Sequence, residues 1–159
     1  MRYLLLSIMI LSSIFSSGAQ NVKVYKGNSR YSSDIIFNLK DSNVFKKSSS
    51  YSSDIICNIR GNKIYKGSSS YSSDILYTVK DGKVYRGNST YSSDIIMNIR
   101  DGKLYKGNSS YSADVIANFK DGKVYSGTSS YSSDIQFNLD GNLTIEEFVA
   151  VWHAVKYSW

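Results

Sequence analysis

A chain of 159 residues with 19 Lys and Arg against 13 Asp and Glu, formal net charge +6, suits one domain with a basic surface. The basic excess is spread evenly, with no block of like charge. The only cysteine, Cys57, excludes an intramolecular disulfide, and the absence of proline is compatible with many continuous strands.

Residues 1–19 read as an export signal. Arg2 supplies the positive start, residues 4–15 an apolar run, and Ser17-Gly18-Ala19 a small-x-small cleavage site. The run is too short for a comfortable membrane span. A soluble chain starting near Gln20, secreted or periplasmic and without a transmembrane segment, is the expectation.

Residues 20–142 then carry a 20-residue repeat. Tyr-Ser-Ser-Asp, once Tyr-Ser-Ala-Asp, recurs at Tyr31, Tyr51, Tyr71, Tyr91, Tyr111 and Tyr131. A fixed period of this kind means one supersecondary unit, copied and stacked. In the fourth copy, residues 94–100 (DIIMNIR) are β-branched and apolar-rich, Asp101-Gly102 follows, and residues 103–106 (KLYK) resume the apolar pattern. Asp-Gly between two such runs predicts a two-residue hairpin, because a type I′ turn needs positive φ at both positions. Gly61-Asn62 is a variant of it and Asp41-Ser42 a weaker one.

A two-residue turn sets the register. Ile99 is expected opposite Leu104, Met97 opposite Lys106 and Asn98 opposite Tyr105. The Ile95, Ile99 and Leu104 face is the expected inner core, with Lys106 reaching an open end or a wet cavity. Along the repeats the Met97 position reads Phe37, Cys57, Tyr77, Met97, Ala117, Phe137. A size-varying site in an otherwise uniform ring implies that this layer meets something asymmetric, a helix or a ligand; neutral drift among apolar residues is the plainer explanation.

The chain ends are out of phase with the repeat. Residues 22–26 form a lone second strand and residues 134–139 a lone first strand. Pairing the two closes a sixth hairpin and removes the exposed sheet edges. The expected fold is therefore all-β: a closed ring or barrel of about six hairpin units plus one C-terminal α-helix that plugs or caps it. The helix is expected within residues 143–159. Thr144 and Glu147 have capping-box spacing, and Ile145, Phe148, Val149, Trp152, Val155 and Trp159 form an apolar stripe. Twelve strands closed into one tilted barrel have a backbone diameter of about 24 Å, enough for a helix at the centre.

Several patterns carry possible chemistry. Asn138, Asp140, Thr144 and Glu147 match part of a calcium-binding loop, but Gln136 stands where the first Asp ligand belongs and no helix enters the loop. The repeated Asp34, Asp54, Asp74, Asp94, Asp114 and Asp134 are read as turn-capping residues rather than ligands. Lys or Arg flanks the hairpin turns at 60, 63, 80, 83, 100, 103, 120 and 123, a basic rim suited to anionic surfaces or to plain solvation. The link tyrosines, with Asn28 and Ser29 nearby, offer the apolar stacking and polar contacts that sugar recognition uses. The alternative is that they pack the link over the sheet. His153 is the only His, Cys57 has no evident His partner, and no catalytic arrangement repeats. No cofactor is expected, and export without a recognised motif speaks against nucleic acid.

The reiterated Tyr-x-Gly-x-Ser-x-Tyr-Ser-Ser-Asp-Ile-Ile-x-Asn-Ile-x-Asp-Gly-Lys-x-Tyr, with the terminal Leu-Thr-Ile-Glu-Glu-Phe-Val-Ala-Val-Trp segment, resembles the exported "beta-flower" repeat proteins of Bacteroidetes-type bacteria. The resemblance covers residues 21–159. Such proteins are described by four- or five-fold rotational symmetry, whereas this chain repeats its Tyr-Ser motif six times. The resemblance implies a secreted or periplasmic symmetric β-structure and no established activity. The resulting expectation is a non-enzymatic glycan or cell-surface binding module. Its candidate ligand residues are Tyr31, Tyr51, Tyr71, Tyr91, Tyr111, Tyr131 and Lys106. A structural or protein-interaction scaffold is the alternative, and a hydrolase the third reading.

Overall fold

The computed structural model describes residues 21–158; the export signal expected at 1–19 and Trp159 lie outside them. Twelve strands form one closed antiparallel barrel. In chain order they are β1 (Val22–Lys26), β2 (Ile35–Lys40), β3 (Asn43–Lys46), β4 (Ile55–Arg60), β5 (Lys63–Lys66), β6 (Ile75–Lys80), β7 (Lys83–Arg86), β8 (Ile95–Arg100), β9 (Lys103–Lys106), β10 (Val115–Lys120), β11 (Lys123–Ser126) and β12 (Ile135–Leu139). Each strand pairs with its chain neighbour, and the lone ends β1 and β12 pair with each other, Val24 opposite Leu139 and Tyr25 opposite Asn138. Among the described strands no edge is left open, so the aggregation hazard of unpaired backbone is removed.

The hairpins form as their turn residues dictate. Asp81 and Gly82 both hold positive φ, 52° and 73°, and even Asp41-Ser42 adopts 50° and 62°. Each turn is clamped to the next hairpin: Ile99 N–H donates to Gly82 O at 2.7 Å, and Phe119 N–H to Gly102 O at 2.7 Å. This clamp makes Gly82 unusually intolerant. A Cβ there would lie 2.6 Å from Ile99 O, whereas at Gly61 it would meet nothing within 4 Å. Gly82→Ala is expected to lower stability by about 1–3 kcal/mol through combined strain and clash. Gly61→Ala carries only the left-handed backbone penalty, about 1 kcal/mol. Urea unfolding of the two variants checks the difference.

The register within a hairpin is as the two-residue turn requires: Met97 opposite Lys106, Asn98 opposite Tyr105, Ile99 opposite Leu104. The register between hairpins differs from expectation. Val84 pairs with Met97, but the next residue, Tyr85, pairs with Ile95. Ile96 is the extra residue of a β-bulge, and a bulge reverses the facing of what precedes it. Ile95 therefore lies on the outer wall with Tyr85, while Ile96 packs toward the inner core beside Met97, Ile99 and Leu104. The expected inward placing of Ile95 is corrected on this ground.

The outer wall is a second apolar layer. Tyr25, Ile35, Tyr85, Ile95, Tyr105 and Ile135 are buried, yet none belongs to the inner cluster. The links fold back toward this wall. Asn98 Nδ2 donates to Ser109 O at 2.7 Å, and Asn58 Nδ2 to Gly67 O and Ser69 O, both at 2.8 Å. Asn138 makes the same pair of bonds across the seam, to Gly27 O at 2.8 Å and Ser29 O at 2.6 Å.

The helix α1 (Ile145–Tyr157) runs inside the barrel. Thr144 Oγ1 accepts from Glu147 N–H at 3.2 Å and Glu147 Oε2 from Thr144 N–H at 2.7 Å, closing the capping box. Phe148, Val149, Ala150, Val151, Trp152, Ala154 and Val155 are all buried. That set covers the whole circumference, not the single stripe expected, and a helix apolar all round must be enclosed. Its partners lie around the ring: Cys57 of β4, Tyr77 of β6, Phe119 of β10 and Phe137 of β12. The size-varying layer thus meets an asymmetric plug. Cys57 is small where the helix lies closest, against β2–β5, and Phe119 reaches it from the far wall, its ring 6.2 Å from that of Phe148.

Candidate functional site: the link mouth

Two sets of residues ring the end of the barrel where the links and the helix C-terminus emerge. The outer set is Tyr31, Tyr51, Tyr71, Tyr91, Tyr111 and Tyr131, each 74–77% exposed. They do not pack the links over the sheet; Tyr25 and its equivalents on the strands do that. Each exposed tyrosine is braced through its backbone. Tyr31 N–H donates to Ser29 Oγ at 3.2 Å, the Ser29 hydroxyl donates to Asp34 Oδ2 at 2.5 Å, and Asp34 N–H donates back to Tyr31 O at 2.9 Å. A short 3-10 turn, Ser32–Asp34, follows the tyrosine. The same bracing recurs at the other five copies, for example Tyr91 with Ser89 and Asp94. The repeated aspartates therefore hold the tyrosine's backbone through a serine.

The inner set is cationic. Lys26, Lys46, Lys66, Arg86 and Lys106 each stand opposite a member of the size-varying layer, Phe137, Phe37, Cys57, Tyr77 and Met97 in turn, with Ser126 completing the circle opposite Ala117. Opposed residues of an antiparallel pair share a face, so these exposed side chains rise from the inner face at the mouth. Sequence reasoning found Lys106 alone. The recurrence of Lys or Arg at every twentieth residue was the available signal. The helix C-terminus, with its partial negative charge, points into this cationic collar. The basic rim at the opposite, hairpin end turns partly back on the wall: Arg60 Nε donates to Asn58 Oδ1 at 3.0 Å, and Arg100 lies 5.6 Å above the Tyr105 ring.

Inside the mouth a cavity of about 500 Å³ opens between helix and wall, lined by Tyr77, Ile96, Met97, Ile116, Trp152, Lys156 and Tyr157. Lys156 Nζ donates to Gln136 Oε1 at 2.7 Å and lies 4.6 Å above the Trp152 ring. Burial lowers the Lys156 pKa from its ordinary value.

Cys57 is buried in the wall and His153, on the helix, is half-buried. The Cys57 thiol lies 3.5 Å from Ala150 O, and burial pushes its pKa up to about 12. His153 Nδ1 is 2.9 Å from Tyr77 Oη. Burial raises the Tyr77 pKa to about 12, with smaller contributions from Tyr157 and Cys57. Burial also lowers the His153 pKa from its ordinary 6.5. The unfolded chain therefore takes up the His153 proton first as pH falls, so the effect on stability is absent above about 6.5 and destabilising below it. His153→Gln is expected to flatten the fall in urea midpoint between about pH 7 and pH 5 relative to the parent chain.

The partial calcium-loop residues are engaged separately. Asn138 holds the seam link, Asp140 accepts from Lys23 N–H at 2.6 Å and Tyr25 Oη at 3.4 Å, and Thr144 and Glu147 cap the helix. Among the described residues no group of three or more His, Cys, Asp or Glu side chains is placed to hold a metal. No described helix is long and apolar enough to cross a membrane.

Six hairpin petals closed around one central helix define a rotationally symmetric flower. The chain belongs to the family described as 6-fold beta flower protein, whose family model matches residues 24–152. The symmetry number is six, as the motif count gives, and not the four or five that the resemblance implied. No curated protein and no solved structure matches the chain.

Proposed function

We propose that the protein is an exported, non-catalytic binding module that engages a glycan or cell-surface polymer through its six mouth tyrosines. One observation carries this reading: six tyrosines, each 74–77% exposed, stand on identically braced backbones around a single ring. An exposed aromatic held in place loses little freedom when a sugar ring stacks on it. Six copies facing a repeating polymer gain by multivalency, which can exceed single-site affinity by about 10²–10⁴. Arg2, the apolar run and the small-x-small site at residue 19 support a location outside the cytoplasm.

The test is binding of the chain from residue 20 to a panel of glycans and bacterial cell-wall polymers. Tyr91→Ala alone is expected to weaken polymer binding about twofold, and joint replacement of Tyr51, Tyr91 and Tyr131 by more than about 100-fold. A triple variant that binds as the parent does, or a parent that binds no polymer, leaves the scaffold reading in its place.

A further inference from the structure

The gap at the mouth has a geometric origin. The helix leans on β2–β5, and it is tethered at its sides by the Tyr77–His153 bond on β6 and the Gln136–Lys156 bond on β12. In the ring order the wall facing β2–β5 is β8–β11. At the hairpin end that wall compensates, because Phe119 reaches across to Phe148. At the link end nothing comparable does. The layer residues there are Met97 and Ala117, the bulge residues Ile96 and Ile116 stand above them, and the cavity remains.

Protein interiors are normally filled to crystal density. An opening of about 500 Å³ falls within the roughly 300–1,000 Å³ of small-molecule sites. Its lining is aliphatic and aromatic, with one cation, Lys156, at the lip. Arg86 and Lys106 stand opposite two of the lining residues, Tyr77 and Met97, and extend the positive lip along the same side. The helix dipole adds about half a unit of opposing charge at this end, and the six link aspartates are already engaged by serine hydroxyls.

We infer that this cavity is a binding site for a single-chain amphiphilic anion: a hydrocarbon tail among Ile96, Met97, Ile116 and Trp152, and a carboxylate head at Lys156, Arg86 and Lys106. The site is separate from the tyrosine ring, since none of the six exposed tyrosines lines the cavity.

The experiment is a calorimetric titration of the chain from residue 20 with decanoate, below its aggregation concentration, with Trp152 emission recorded in a Trp159→Phe background. Decanoate is expected to bind one per chain and to shift Trp152 emission. Decanol, with the same tail and no charge, is expected to bind at least about tenfold more weakly. The double variant Arg86→Glu/Lys106→Glu, which alters only exposed side chains, is expected to weaken decanoate by a similar factor and leave decanol unchanged. Ile116→Trp, at the open end of the cavity, is expected to block both ligands. Joint replacement of the tyrosines should leave decanoate binding intact, so failure of the polymer reading and failure of this one are told apart. Absence of saturable decanoate binding, several equal sites per chain, or equal binding by both charge forms would overturn the assignment.

Discussion

Trp152→Ala is expected to cost about 3–5 kcal/mol of stability, the usual range for removing a large buried aromatic. Trp152 is 6% exposed at the centre of the barrel. Its ring stacks on Phe148 with centroids 6.3 Å apart, meets Phe137 at 6.4 Å, and carries Lys156 on its face. No neighbour can collapse into the space, because the strands that surround it are fixed by ring closure and the helix is tethered on both sides. Tyr157→Ala, one turn further and exposed, is expected to change stability by less than about 0.5 kcal/mol. Urea unfolding of both variants checks the contrast. A Trp152→Ala cost no larger than that of Tyr157→Ala contradicts the plugged barrel.

The second large effect concerns the seam. Asn138→Ala removes the bonds to Gly27 O and Ser29 O, carbonyls more than a hundred residues away in the chain. Leaving them unpaired costs about 1–3 kcal/mol. Asn58→Ala removes equivalent bonds to Gly67 O and Ser69 O within continuous chain, so its local cost is similar. The consequences differ. Loosening β1 from β12 exposes two strand edges, and exposed edges seek partners. Asp140, which replaces the Lys or Arg of the other copies, adds bonds to Lys23 and Tyr25 across the same seam. Asn138→Ala/Asp140→Ala is expected to associate with rising concentration in analytical ultracentrifugation, and Asn58→Ala to stay as the parent. Equal behaviour of the two would mean that the seam is not where the ring opens.

The architecture was largely legible because the repeat imposes it. Asp-Gly turns fixed the hairpins, the two lone end strands implied closure, and Thr144 with Glu147 announced the helix start. The bulge was not legible. Ile95 and Ile96 are both Ile, so the pattern does not reveal which of them faces inward; only the pairing between successive hairpins decides it. Nor could an apolar stripe separate a cap from a plug. The deciding residues are Ala150, Val151 and Ala154, whose burial closes the remaining circumference of the helix. The six link tyrosines were found as candidates, but aromatic residues in a link read equally well as packing, and their exposure is a property of the folded bracing. Lys106 is one member of a collar that becomes visible when each strand end is brought to the same mouth.

Everything at the mouth depends on the helix filling the barrel, and Cys57 reports on that directly. Its thiol faces Ala150 O from the wall, buried between strand and helix. Thiolate reactivity needs both ionisation and access. A small thiol reagent is expected to label Cys57 in the native chain at least about a thousandfold more slowly than in urea, at a rate set by opening of the structure. Native labelling within about tenfold of the unfolded rate would mean an open, water-lined barrel with the helix elsewhere.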